Sequence, residues 1–273
     1  MLSPLILATE LLDSRSDKNV IILDASNEKD YLEQHLEGAI YIDLNSQLSA
    51  IKEDAANGGR HPLPSFSNFI QTIGQLGISP QSHVVIYDRH NGANAAARLW
   101  WMLRAIGHTK VQVINGGFQE AINCDYPTEK GKVNPKNAEV YTTTLKNWKL
   151  PTVLIKEIDS LIKTDDSVII DVRDSYRYRG DSEPIDLVAG HIPTAINIPY
   201  SENLDEDGLF LSEEELKEKY QSFITKDTVV YCGSGVTACH TLLAIEYAGL
   251  TMPNLYVGSW SEWSRNKREI EEG

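Results

Sequence analysis

The chain passes twice through one order of segments. Val20-Ile21-Ile22-Leu23-Asp24 is matched by Val168-Ile169-Ile170-Asp171, and His35 to Asp43 by His191 to Pro199. Val85-Ile86-Tyr87-Asp88 is matched by Val229-Val230-Tyr231-Cys232, and Asn115 to Glu120 by Tyr256 to Glu262. The copies lie roughly 140–155 residues apart throughout, which marks a duplicated domain and not a short-period solenoid. In each copy, short β-branched runs alternate with stretches of helical period. Phe66 to Leu76 is predicted as a helix stopped by Gly77, and Gly92 to Ile106 as one stopped by Gly107. Glu213 to Phe223 and Cys239 to Tyr247, the latter closed by Gly249, are the helices of the second copy. Such alternation predicts an α/β fold with two tandem domains, each a mainly parallel sheet flanked by helices. A chain of 273 residues has room for both. The boundaries expected are a first domain over 1–130, a linker over 131–150 rich in Lys, Asn and Thr, and a second domain over 151–273.

The copies differ where chemistry is expected. Cys232-Gly233-Ser234-Gly235-Val236-Thr237-Ala238 follows the apolar strand Thr228 to Tyr231 and leads into a helix. Two glycines let this loop curl so that several N–H groups converge, and the positive end of the helix adds to them, which makes an anion nest. A cysteine at its base is placed to act as a thiolate nucleophile or a sulfur carrier. In the first copy Asp88 takes the place of Cys232, and the loop Arg89-His90-Asn91-Gly92-Ala93 has fewer glycines. An aspartate cannot form a persulfide. The second domain is therefore expected to be catalytic and the first non-catalytic, with the working crevice at the carboxyl ends of the strands.

Charge and cysteine content narrow the partners. A formal charge of −14 argues against nucleic acid and against an anionic membrane surface, so an anionic substrate needs a local cluster of cations. Cys124, Cys232 and Cys239 are too few and too scattered for a disulfide framework or a tetrahedral zinc site, and they suit a reducing cytoplasm. The first residues lack a basic region before Glu10 and Asp13, and no apolar run approaches membrane-spanning length, so a cytoplasmic location is expected.

These residues resemble those of the two-domain rhodanese-type sulfurtransferases over nearly the whole chain. The resemblance is carried by Asp171-Val172-Arg173, Gly190-His191-Ile192-Pro193, the Cys232 to Ala238 loop, and Gly258-Ser259-Trp260-Ser261-Glu262-Trp263. The loop is similar to that of the mercaptopyruvate branch. The thiosulfate branch typically has Arg and Lys after the cysteine, where this chain has Gly233 and Ser234. The resemblance implies transfer of a sulfane sulfur from a small anionic donor, 3-mercaptopyruvate in preference to thiosulfate, through a Cys232 persulfide. The acceptor implied is a thiol or cyanide, with a thioredoxin-like reductant as a partner, and neither a metal nor an organic cofactor is required.

The same resemblance assigns site residues. Gly233, Gly235, Val236 and Thr237 line the loop around the sulfur and donor. Arg177 corresponds to the substrate-binding arginine, whose planar fork fits a carboxylate. Arg179 is a second candidate for that carboxylate, with a surface ion pair to Asp181 or Glu183 as the alternative. A second substrate arginine is usual shortly after a Glu-Pro pair, but Glu183-Pro184 is followed here by Ile185-Asp186. Ser234 corresponds to a catalytic serine that works with a histidine and an acidic residue from the N-terminal domain; His61 matches the histidine, and Asp43 and Asn45 are the candidates for the acidic position. His35 and His191 occur in both copies and read as structural partners of a turn. Cys239 and the Trp100-Trp101 pair read as core or, for the tryptophans including Trp260, as core or interface aromatics.

Two other readings are weaker. A cysteine phosphatase of similar fold requires an arginine at the end of the loop, where Ala238 stands. The intact loop and Arg177 argue against a purely structural interaction module, and a dedicated carrier would form the persulfide but turn over poorly with small acceptors.

Overall fold

A computed structural model of the chain describes residues 2–17, 19–135, 140–225 and 227–273. Part of the expected linker, 136–139, lies outside the described residues. The chain divides into two compact units. The N-terminal unit comprises Met1–Ser49, Pro64–Lys149 and Asp207–Leu209, and the C-terminal unit comprises Ala50–Leu63, Leu150–Glu206 and Phe210–Gly273.

In the N-terminal unit the strands are β1 (Leu5–Ile6), β2 (Val20–Asp24), β3 (His35–Leu36), β4 (Ile40–Tyr41), β5 (His83–Tyr87), β6 (Val111–Ile114) and β7 (Thr128–Glu129). Five of them form a wholly parallel sheet in the order β1-β6-β5-β2-β4, while β3 and β7 make a separate antiparallel pair. The helices are α1 (Ala8–Asp13), α2 (Glu28–Glu33), α3 (Phe66–Gln75), α4 (Ala96–Ala105) and α5 (Gly117–Asn123). Asn27 and Ser65 cap α2 and α3 by accepting the N–H groups of Asp30 and Asn68, which satisfies donors that a helix start leaves open. Trp100 and Trp101 on α4 are fully buried.

The C-terminal unit repeats this plan. Its strands are β8 (Thr152–Val153), β9 (Val168–Asp171), β10 (Ile196–Asn197), β11 (Thr228–Tyr231) and β12 (Asn254–Tyr256), parallel in the order β10-β9-β11-β12-β8. Its helices are α6 (Ile155–Leu161), α7 (Ser175–Tyr178), α8 (Glu213–Tyr220), α9 (Ala238–Tyr247) and α10 (Ser259–Trp263). All four residues of β11 are buried, as a central parallel strand covered on both faces requires. Eight consecutive residues of α9, Ala238 to Ile245, are buried, the mark of a helix enclosed on every side.

The predicted parallel α/β architecture is thus the one that forms. The edge strands β1 and β8 give no sequence signal because two residues are too few to show a period. The helix expected from Gly92 begins only at Ala96, because the residues before it wrap around the Asp88 carboxylate. Both copies also tie the turn before the second strand in the same way. Tyr87 and Tyr231 accept the N–H groups of Leu36 and Ile192 on their hydroxyls, at 3.0 and 3.2 Å. His35 stacks on Tyr31 and donates from Nδ1 to its carbonyl at 2.7 Å; His191 does the same with Tyr178 at 2.9 Å. Among the described residues no helix is long and apolar enough to cross a membrane.

Candidate active site

Cys232 stands at the carboxyl end of β11 and is 3% exposed. The loop that follows is held by α10. The Trp260 N–H donates to the Cys232 carbonyl at 3.0 Å, and the Ser261 N–H to the Gly233 carbonyl at 2.8 Å. Ser259 Oγ accepts the Cys232 N–H at 3.2 Å. Gly235 has φ +73°, and a Cβ there would lie 2.4 Å from the Val257 carbonyl oxygen, so only glycine fits this turn. Val236 is buried, and its carbonyl accepts the Cys239 N–H at 3.0 Å; Thr237 caps α9 and its carbonyl accepts the His240 N–H at 3.0 Å. Cys239 is buried one turn into α9, with Sγ 3.5 Å from the Gly235 carbonyl.

The matching loop of the N-terminal unit displays what such a backbone gathers. Asp88 is fully buried, and its carboxylate accepts four backbone N–H groups, from His90, Gly92, Asn94 and Ala96, at 2.8–3.1 Å. Burial pushes the Asp88 carboxyl up, and the N–H groups of His90, Ala96 and Gly92 offset part of that rise. The loop thus encloses a carboxylate at the position where the C-terminal unit has its cysteine.

Two arginines meet the Cys232 loop, and two more share their carboxylates. Arg60 and Arg177 converge on Gly233: a Cβ there would meet Arg60 Nη2 at 3.0 Å and Arg177 Nη2 at 3.4 Å. Three buried carboxylates set their forks. Arg177 donates to Glu183 through Nε and Nη2, at 2.8–3.1 Å, and reaches Asp186 at 3.4 Å. Arg60 donates to Asp186 through Nε at 3.1 Å and Nη2 at 3.3 Å, and Arg265 Nη1 bonds the same carboxylate at 3.0 Å. Arg173 is held by Asp171 and Glu183 and lies over the Trp260 ring, 4.6 Å from its centroid. Burial works against the charge on Arg173, yet Asp171 outweighs it and the guanidinium stays protonated. Burial likewise raises the Glu183 carboxyl, but Arg177 and the N–H groups of Asp186 and Ile185 hold it below the ordinary glutamate value. The network carries one more guanidinium than carboxylate, a local positive field in a chain of net charge −14.

His61 Nδ1 lies 2.8 Å from Ser234 Oγ. Both belong to the C-terminal unit, because the segment Ala50–Leu63 is part of it. That segment is fastened to α10. The Gly58 N–H donates to Glu262 Oε1 at 2.9 Å, and the Arg60 N–H to Ser261 Oγ at 3.0 Å. Asp43 and Asn45 belong to the N-terminal unit. The Asp43 carboxylate accepts from Ser46 and from the Tyr41 hydroxyl; burial raises its carboxyl, and these bonds more than reverse that.

Arg179 is not brought to the loop. Its side chain is 48% exposed and donates to Asp181 through Nε and Nη2 at 3.0 and 2.7 Å. The surface ion pair with Asp181, two residues on, is the alternative that forms. Arg60, Asp186, Arg265 and Ser259 are the site residues that sequence reasoning missed. The Gly58-Gly59-Arg60-His61 loop was the one available signal, since a paired glycine beside a cation and a histidine allows close backbone approach.

Known proteins place this arrangement in a family. The rhodanese-like domain family matches the chain twice, over residues 7–124 and 154–266. A 3-mercaptopyruvate sulfurtransferase of Mus musculus is 34% identical over 274 residues, covering 94% of this chain and 89% of the relative. A thiosulfate sulfurtransferase of Bos taurus is 34% identical over 242 residues, covering 86% of this chain and 79% of the relative. The solved structure of a 3-mercaptopyruvate sulfurtransferase from Leishmania major superposes with a TM-score of 0.83 at 30% identity, covering 97% of this chain and 75% of that one. With one family match in each half, and relatives of this similarity along nearly the whole sequence, the duplication has its explanation: the chain belongs to the rhodanese family of sulfurtransferases, as two rhodanese-like domains in tandem.

Proposed function

We propose that the chain moves a sulfane sulfur from 3-mercaptopyruvate to a thiol acceptor through a persulfide on Cys232. The observation that carries this reading is the convergence of Arg60 and Arg177 on Gly233, one residue after the cysteine. A Cβ at position 233 would sit 3.0 and 3.4 Å from these guanidinium groups, so the cations beside the cysteine come from outside the loop. Each arginine commits its Nε and Nη2 to a carboxylate, Glu183 or Asp186, and no described residue bonds either Nη1. With the forks fixed in this way, each guanidinium has Nη1 to offer an incoming carboxylate such as that of a 2-oxo acid.

In the first half-reaction the Cys232 thiolate attacks the donor sulfur. An S–S bond forms and the S–C bond breaks, with its electron pair leaving on carbon as the pyruvate enolate. The enolate takes up a proton and departs as pyruvate, and Cys232 keeps the sulfur as a persulfide. Ser234, paired with His61, is placed to supply that proton or to hold the carbonyl oxygen on which the charge develops. In the second half-reaction an acceptor thiolate attacks the outer persulfide sulfur and Cys232 leaves as thiolate. The loop N–H groups of Gly233, Gly235, Val236 and Thr237 cradle the terminal sulfur, as the Asp88 loop cradles its carboxylate. The acceptor is a small thiol or a thioredoxin-like dithiol, and the reducing cytoplasm is the compartment that suits a chain whose Cys124, Cys232 and Cys239 form no disulfide. The first domain, with Asp88 in place of the cysteine, is not itself catalytic.

The test compares kcat/KM for 3-mercaptopyruvate and thiosulfate with one thiol acceptor, alongside Cys232→Ser. Preference for mercaptopyruvate, abolished in the variant, is expected. Preference for thiosulfate would reject the donor, and activity with neither would point to a carrier.

A further inference from the structure

We infer that Ser259 is a positioning residue for Cys232: it holds the nucleophile's main chain at the cost of an unfavourable backbone conformation. The inference rests on Cys232 being the nucleophile, as proposed above. Ser259 has φ +53°, in the left-handed region that costs an ordinary side chain free energy and costs glycine almost none. The matching residue of the N-terminal unit is Gly117, at φ +61°. The registers correspond, because the next residue in each copy makes the same bond: Phe118 N–H to the Asp88 carbonyl and Trp260 N–H to the Cys232 carbonyl, both at 3.0 Å. Glycine is therefore the unstrained choice at this position, and the unit with Asp88 has it. The unit with Cys232 has serine.

What serine adds is a hydroxyl, fully buried and bonded on two sides. It accepts the Cys232 N–H at 3.2 Å and donates to the Tyr256 carbonyl at 2.8 Å. The Cys232 N–H belongs to the peptide plane before the cysteine Cα, and its carbonyl to the plane after. With Ser259 on the first and Trp260 on the second, both planes are fixed, and so is the direction of the Cα–Cβ bond. Only χ1 remains to aim Sγ. Sulfur transfer needs the thiolate in line with the S–C bond that breaks, and small errors in such alignment are costly. A strained residue retained on one copy and absent from the other marks the place where that alignment is enforced.

The test uses Ser259→Gly and Ser259→Ala in the full chain, assayed with 3-mercaptopyruvate beside Cys232→Ser. The glycine variant relieves the backbone but takes the hydroxyl from the Cys232 N–H and the Tyr256 carbonyl, two opposing effects on stability, so its melting temperature is measured beside its kinetics to establish that the assayed protein is folded. In both variants kcat is expected to fall about tenfold or more while KM stays within about twofold. The pyruvate burst of a single turnover should slow by the same factor as kcat. A glycine variant with the parent's kcat and burst would overturn the inference and leave the nucleophile assignment standing. An active Cys232→Ser would overturn both. The glycine variant decides the matter even if the alanine variant fails to fold.

Discussion

His61 Nδ1 stands 2.8 Å from Ser234 Oγ, although the two residues are 173 positions apart in the chain. The bond links a histidine on the segment fastened to α10 with a hydroxyl two residues beyond the candidate nucleophile.

If that pair acts as a unit, His61→Ala and Ser234→Ala should each lower kcat by about 10²–10³ with little change in KM. The double variant should be no worse than the more damaging single one, because groups that act together are not additive. Losses that simply multiply would separate the two residues' roles.

The arginines make a different prediction. Arg60→Ala and Arg177→Ala should each reduce kcat/KM for mercaptopyruvate by about 10–100-fold, chiefly through KM. Arg177→Lys should not restore it, since an ammonium cannot reproduce the bidentate fork on Glu183. Arg179→Ala, at an exposed ion pair, should stay within about twofold of the parent. Steady-state kinetics on the four variants is sufficient. An unchanged KM in Arg60→Ala would remove that residue from the donor site.

Gly235→Ala combines a left-handed backbone with a 2.4 Å clash against the Val257 carbonyl. It should destabilise the protein by about 2 kcal/mol or more and abolish turnover by moving the loop. Gly249→Ala is the control: φ is +70°, but nothing lies within 4 Å of the added Cβ. It should cost about 1 kcal/mol and leave turnover unchanged. Urea unfolding of both separates strain from clash.

Glu183 gives the site an acid limit. Its carboxyl is raised by burial but lowered further by Arg177 and two backbone N–H groups, and lies below the ordinary value of 4.5. An acid depressed in the folded state stabilises it fully above the unfolded pKa and loses that contribution as pH falls through the folded one. Wild type should therefore melt higher than Glu183→Gln at about pH 6, and the gap should close only below about pH 4.5. A gap that closes well above 4.5 would mean that burial, and not Arg177, governs this carboxylate.

Much of the architecture was legible because it is written in local pattern. The runs Val20 to Asp24, His83 to Tyr87 and Thr228 to Tyr231 are strands because β-branched residues buried on both faces leave a continuous apolar signature. Helix ends at Gly107 and Gly249 follow from the ease with which glycine leaves the helical region. The match of His35 with His191 pointed to a shared turn, and both rings do stack on a tyrosine one helix away. The pattern failed where an element was too short to have one, as at β1 and β8, or where a side chain reorganised the backbone, as Asp88 does before α4.

The sequence by itself determined that the chain is a duplicated α/β protein, that the two copies differ at Asp88 and Cys232, and that the cysteine ends a strand in a glycine loop. Each of these depends on neighbours in the chain or on comparing one copy with the other. Arg177 was named from the sequence, but tertiary structure alone brought Arg60 beside it at Gly233. The arginine expected after Glu183-Pro184 is absent. Asp186, two residues beyond that pair, instead gathers Arg60 from 126 positions away and Arg265 from 79 positions away. Tertiary structure alone also showed that Ser259 carries a positive φ and a bond to the Cys232 N–H. Periodicity reports which face of a segment is buried, but not which distant side chain meets it there. That depends on the path of the loops, where carboxylate and guanidinium find each other only once the sheets have assembled.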